Sequence, residues 1–218
     1  RSRGRGDVAK RQATHSLKDR PREPDPRLPV VGVLERGPAD EVLIAREGHT
    51  LRTLPAGARI GVSCARRTAQ LLRLRPDLEP ATIRGPVDKR VAMVLDGTYD
   101  GAILAAAGVE RLGLGHCITQ RFKIDEITPA SGQGAIALQA RAGDAEMRCV
   151  GALVEDGPTR RCVEAELGAA RVLEPLVDPM SVAAWARVAE AGSIELLVRV
   201  VSRDGQIRRD QRLAPIHI

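Results

Sequence analysis

An α/β fold is what this sequence predicts: repeated strand–helix units around a parallel or mixed sheet, then a smaller α+β part at the C-terminal end. Three observations carry the expectation. Between Leu51 and Gly115, short apolar runs alternate with stretches of helical spacing, punctuated by Gly and Pro. The runs "IGV" and "AILAAA" are apolar without interruption, as in strands covered on both faces. After Pro179 the pattern changes to strands joined by Gly-bearing turns.

The elements follow in order. "REPDPRLP" (22–29) holds three prolines and reads as an extended connector. "VVGVL" (30–34) is a strand, and "ADEVLIAREG" is a second strand closed by a turn at Gly48. "LPAGARIGVS" is a loop feeding a strand. "CARRTAQLLRL" is a helix that sets Ala65, Ala69 and Leu72 on one face before Pro76 stops it. "PATIRG" leads to "PVDKRVAMVLDG", where Pro86 suits a first helical turn and Gly97 a C-terminal cap. "YDGAILAAAGVERLGLG" gives a buried strand and a short helix, so residues 41–126 form one α/β domain. Residues 144–173 read as Ala- and Glu-rich helix, and strands follow with turns at Ala191-Gly192 and Asp204-Gly205.

Composition narrows the function. Of 218 residues 43% are hydrophobic, which suits a buried core, but only 1% are aromatic: Tyr99, Phe122 and Trp185. The core is therefore aliphatic, and stacking platforms for single-stranded nucleic acid are lacking. The net charge of +6 rests on arginine, since lysine occurs only at positions 10, 18, 89 and 123. A GC-rich genome accounts for the arginine total, not for where each arginine falls. Cys64, Cys117, Cys149 and Cys162 show no CxxC spacing and the histidines are scattered, which argues against a metal site or disulfide framework. "RSRGRGDVAKRQ" has no apolar signal region, and no run is long enough for a membrane span. The expectation is a cytoplasmic protein with no membrane partner.

Chemistry concentrates at strand ends, where open α/β sheets bind ligands. "GVSCARR" delivers Ser63, Cys64, Arg66 and Arg67 to a helix N-terminus. Either they receive an anion there, or Ser63 is a plain N-cap beside two solvated arginines. "IRGPVDKR" puts Arg84 at a strand end, with Lys89 and Arg90 in a first helical turn, where cations need a compensating anion. "AAAGVERLGLG" adds Arg111. If the strands lie side by side, these cations converge on one cleft. "THSLKDRP" faces that cleft if it ends a strand of a partner domain. Its Asp19 is then a candidate acid beside Lys18, and His15 a packed or capping residue. "SGQGA" lacks the Lys-Ser/Thr of a phosphate loop, so its glycines serve a tight turn.

"HSLKDRP", "GVSCARRTAQLLRLRPDL", "IRGPVDKR", "LDGTYDGAILAAAGVERLGL" and "PASGQGAIALQAR" occur in this order with fitting separations. Together they resemble the porphobilinogen deaminase (hydroxymethylbilane synthase) family, from about Gly6 to Arg141. The resemblance implies a periplasmic-binding-protein-like (type 2) two-domain cleft, plus a small α+β C-terminal domain. Residues 1–40 and 127–143 are then the remnant of an incomplete domain 1, 41–126 is domain 2, and 144–218 is the C-terminal domain. It also implies a monomer whose partners are porphobilinogen and linear polypyrroles, and whose cofactor is a dipyrromethane held by a cysteine thioether. Such enzymes join four porphobilinogens head to tail, release ammonia, and supply tetrapyrrole and haem synthesis. By resemblance Asp19 is catalytic. Ser16, Lys18, Ser63, Cys64, Arg66, Arg67, Arg84, Arg90 and Arg111 bind cofactor or substrate, and no metal is used.

One departure bears on chemistry. The family's cofactor cysteine falls near Glu174, where this chain reads "EPLVDPMSV", so no residue for covalent attachment is found. Two other readings stand beside the enzyme. One is a relative that binds a linear tetrapyrrole or other polycarboxylate without turnover. The other is a basic nucleic-acid-binding protein, which the scatter of arginines over loop ends disfavours.

Overall fold

A computed structural model describes residues 11–19 and 24–216. The readings of "RSRGRGDVAK" and of the first residues of the Pro-rich connector lie outside the described residues. Strands β1 (Gln12–Ser16) and β2 (Val30–Val33) come first. β3 (Glu41–Ala45), β4 (Arg59–Val62), α1 (Ala65–Leu74), β5 (Glu79–Thr82), α2 (Val87–Leu95), β6 (Gly101–Ala105), α3 (Ala106–Arg111) and β7 (Gln120–Arg121) follow. β8 (Ile136–Ala140), α4 (Ala145–Leu153), α5 (Gly157–Val177), β9 (Ser181–Val188), β10 (Ile194–Val201) and β11 (Arg208–Ile216) complete the order.

The described strands form three sheets. The largest runs β5-β4-β6-β3-β7. It is mixed, because β4 lies parallel to β5 and β6 while β3 is antiparallel to β6 and β7. Successive side chains on a strand point to opposite faces. Leu43, Ile60 and Ile103 therefore pack with Leu71 of α1 on one side. Val42, Ile44, Ala102 and Leu104 pack with Val91 and Val94 of α2 and Val109 of α3 on the other. Two covered faces explain the uninterrupted apolar runs.

β8 pairs antiparallel with β1 and β2 in a small second sheet. α4 lies against β2 at two glycines: a Cβ on Gly151 would stand 2.2 Å from the Val31 carbonyl oxygen. The third sheet is an antiparallel meander, β11-β10-β9. Cys162 of α5 packs there against Ala184, Ala186, Leu196 and Val198.

Two details differ from the sequence reading. The connector is not simply extended, since Asp25 accepts hydrogen bonds from Arg27 N and Leu28 N and closes a turn. α1 buries Arg66, Arg67, Ala69, Gln70 and Leu71, while Ala65 is exposed and Leu72 only half-buried. The helix is rotated relative to the expected face because its arginines find a buried acid.

Candidate functional site

β4, β5 and β6 are in register with one another, so the loops that follow them emerge side by side. Opposite stands the turn after β1. Leu17, 2% exposed, packs with Val33, Ala135 and Ala137, and its amide donates to Ala135 O. That anchor fixes its neighbours Lys18 and Asp19. Between the loops and the turn lies a cleft of about 500 Å³. Ser16, Lys18, Asp19, Ser63, Cys64, Arg66, Arg67, Arg84, Arg90 and Arg111 all line it. The convergence expected of the separate loops is observed. Lys89, in the same turn as Arg90, is exposed and not among the lining residues.

The cations fall into two groups. Arg66 and Arg67 are buried and bound to Glu41, the first residue of β3, which is 0% exposed. Arg66 Nη2 donates to Glu41 Oε1 at 2.5 Å, while Arg67 donates from Nε to Oε1 at 3.1 Å and from Nη2 to Oε2 at 2.7 Å. Arg66 Nη1 also donates to Thr128 O, and Arg67 Nη1 to Ser63 Oγ. Neither of the two sequence readings of "GVSCARR" foresaw this. Cys64, not Ser63, is the N-cap of α1, and the arginines are not solvated. Burial opposes the charge on Glu41, but Arg67 and Arg66 outweigh it and hold the carboxyl at about 2.

The second group has no such partner. Lys18 Nζ donates only to Gln133 Oε1 at 3.2 Å, and Arg90 Nε to Gly85 O at 2.7 Å. Arg84 makes a long contact to Ser63 O at 3.4 Å. Among the described residues, Lys18, Arg84, Arg90 and Arg111 are without an ion-paired carboxylate. The crowding is visible in their titration. Burial and then Arg67 pull Lys18 down to about 8, and burial followed by Arg67 and Arg84 lowers Arg90. Asp19 is the one carboxylate among the described lining residues.

The "SGQG" loop closes the site. Gly134 adopts φ +86°, and a Cβ there would meet the Gly37 carbonyl oxygen at 2.5 Å. The glycines make the tight turn that the sequence predicts. The turn presents Gln133, fully buried, between Lys18 and the Ala39 carbonyl. Sequence reasoning missed Gln133 and Glu41. For Glu41 the only signal was conditional: an acid opening an otherwise apolar strand must be paired if it is inside, and the sequence does not say that it is. His15 is half-buried, and its Nε2 takes no hydrogen bond among the described residues.

A second cavity of about 310 Å³ shares Lys18, Cys64, Arg66 and Ala130 with the cleft and reaches Arg171 and Glu174 of α5. Among the described residues no His, Cys, Asp and Glu cluster is placed to hold a metal ion. None of their helices is long and apolar enough to cross a membrane.

Loops at the carboxyl ends of parallel strands, facing a second sheet across a cleft rich in unneutralised cations, define an α/β protein suited to a polyanionic small molecule. Comparison with known proteins gives the family. The family described as "Porphobilinogen deaminase, dipyromethane cofactor binding domain" matches residues 7–149, and the chain belongs to the porphobilinogen deaminase family. The porphobilinogen deaminase of Xanthomonas campestris pv. campestris (strain B100) is 45% identical over 175 residues, 80% of this chain and 57% of that protein. That of Stenotrophomonas maltophilia (strain K279a) is 44% identical over 161 residues, 74% of this chain and 53% of that protein. The chain thus spans a little over half the length of the curated relatives it matches. A putative methionine-binding lipoprotein from Bacillus subtilis is similar over 62% of this chain and 64% of its own, with 12% identity and a TM-score of 0.43. That likeness is too slight to add weight.

The matched region is the family's dipyrromethane-binding domain, which raises the question of fit. The donors fit: the free cations of the cleft suit the carboxylates that such a group carries. The covalent anchor does not. Between Glu174 and Val182 there is no cysteine. Cys162 is buried in the C-terminal core and Cys149 is exposed on α4. Neither lines the cleft; Cys64 does, but at the N-cap of α1 rather than near Glu174, where the family's cysteine falls.

Proposed function

We propose that the cleft binds pyrroles carrying acetate and propionate groups, and that Asp19 is the acid of a porphobilinogen condensation that releases ammonia. One observation carries the reading. Among the described residues, Lys18, Arg84, Arg90 and Arg111 converge on one cleft without carboxylate partners, around a single acid. Charge-assisted hydrogen bonds from these cations offset the carboxylates of the ligand. Loss of ammonia requires a proton on the leaving amine and leaves a cationic azafulvene. The protonated carboxyl of Asp19 supplies the first, and the carboxylate left behind steadies the second. Ser16 and Ser63 supply neutral hydrogen bonds at the same walls. A bound dipyrromethane supplies the pyrrole carbon on which a chain grows.

The segment Glu174–Val182, without cysteine, favours a second reading: the cleft holds the pyrrole acids but does not build the chain. One experiment separates the two. Purified protein is mixed with porphobilinogen, and binding, intact mass and uroporphyrin fluorescence are followed. The expected result for the enzyme is mass increments of linked pyrroles that disappear in Asp19→Ala. Binding with neither adduct nor fluorescence establishes the second reading. No binding at all overturns both.

A further inference from the structure

Cys64 stands where the cleft and the second cavity meet, and among the described residues it is the one cysteine lining either. Its carbonyl accepts from Arg67 N and Thr68 N and so fixes the start of α1. Its side chain makes no capping hydrogen bond and the residue is exposed, which leaves the sulfur free to react. The other thiols are placed differently. Cys162 is 5% exposed in the C-terminal core, where burial pushes its thiol up. Cys117 packs against the α2–α3 side of the large sheet, and Cys149 lies on α4.

A thiol by itself is no site; here the surroundings supply the ligand. Lys18, Arg84, Arg90 and Arg111 line the same cleft and, among the described residues, lack ion-paired carboxylates. They can take the acids of a pyrrole. Arg67 and Arg90 each lie within electrostatic reach of both Cys64 and Asp19, so the sulfur and the acid share the same cations. At Cys64 the second cavity, of about 310 Å³, offers Leu17, Leu167, Ala170 and Val182 to a ring. We propose that Cys64 is a covalent anchor for the first pyrrole, its sulfur bonding to the aminomethyl carbon of porphobilinogen as ammonia leaves. The proposal rests on the reading of the cleft as a porphobilinogen site and deepens it. The step balances without an oxidant or a reductant. Protonated Asp19 gives its proton to the amine, the carbon–nitrogen bond breaks with its electron pair on nitrogen, and ammonia departs. A sulfur lone pair forms the carbon–sulfur bond, and the thiol proton restores the Asp19 carboxyl. A pyrrole so tethered keeps its other α-carbon free for the next porphobilinogen, with no cysteine needed near Glu174.

The test mixes reduced protein with porphobilinogen, then follows titration calorimetry on the intact wild type and mass mapping after proteolysis. The expected product is the peptide carrying Cys64, heavier by porphobilinogen less ammonia for each pyrrole joined. Cys64→Ser, which keeps a preferred N-cap residue, is expected to lose the adduct, and Cys149→Ser to retain it. Asp19→Ala is expected to lose it too, while iodoacetamide, which brings its own leaving group, still labels Cys64 there. Heat of binding with Cys64 unmodified overturns the proposal and leaves the reading of the cleft in place. An adduct that persists in Cys64→Ser, or forms as fast in Asp19→Ala as in wild type, overturns it equally. Neither heat nor adduct overturns the reading of the cleft, and the anchor falls with it.

Discussion

Lys18 holds its charge against its surroundings. Burial and Arg67 bring it to about 8, from an ordinary value of 10.5. The charged form is the one that holds a ligand carboxylate, so affinity for porphobilinogen is expected to fall as pH rises through about 8. Lys18→Met removes that limb from the pH profile, which titration at pH 7, 8 and 9 reads directly. The stability consequence has the opposite sense. A lysine whose folded value lies below its unfolded one penalises the fold at pH below about 8, and the penalty fades between 8 and 10.5. Lys18→Met is therefore expected to melt higher than wild type at pH 7. Lys18 and Asp19 were legible in the sequence only through the resemblance carried by "HSLKDRP", since adjacent opposite charges read alone are usually solvated. Glu41 was not. In "ADEVLIAR" the acid looks like the solvated start of a strand, and only the three-dimensional approach of Arg66 and Arg67 shows it to be interior.

At the scale of elements, strands and turns were read closely and the helix faces less so. The Gly-bearing turns at Gly97, Gly132 and Gly205 adopt positive φ, a constraint local to each turn and so visible in the sequence. The face of α1 is set by distant partners instead. Gln70 of that helix accepts from Thr128 N and from Arg199 Nη1, and donates to Thr128 O. Arg199, on β10 and 1% exposed, also holds Asp210 and the carbonyls of Asp125 and Glu126. A mean-hydrophobicity pattern counts such residues as polar and turns the helix the wrong way. Arg199→Met is expected to cost about 3 kcal/mol, because it takes one of two arginines from Asp210 and removes the side-chain donors to Gln70 and to the Glu126 carbonyl. The urea midpoint measures it.

Across the whole molecule, the apolar clusters are largely local to one sheet and its helices, while buried charge ties the parts together. Arg36, in the loop after β2, pairs with Glu166 of α5, whose oxygens also accept from Gly132 N and Ala186 N. Arg199 joins the C-terminal meander to α1, and the Glu41 cluster joins β3 to α1. This arrangement makes acid the natural way to take the fold apart. Glu41 and Asp210 both titrate below their ordinary values, through Arg67 and Arg66 in one case and Arg199 and Arg208 in the other. A carboxyl whose folded value is depressed contributes stability that is full above its unfolded value and lost as pH falls toward the folded one. For Glu41 that window runs from about 4.5 down to about 2. Glu166 runs the other way, because burial raises it, so of these three clusters only the other two contribute to the acid loss. Stability is therefore expected to stay level from pH 7 to about 5 and then to fall steeply, as followed by far-UV circular dichroism in urea at each pH. In Glu41→Gln, unfolding over that window is expected to take up about one proton fewer, which appears as a shallower dependence on pH. An equal slope in the two proteins would mean that Glu41 carries no charge in the folded state.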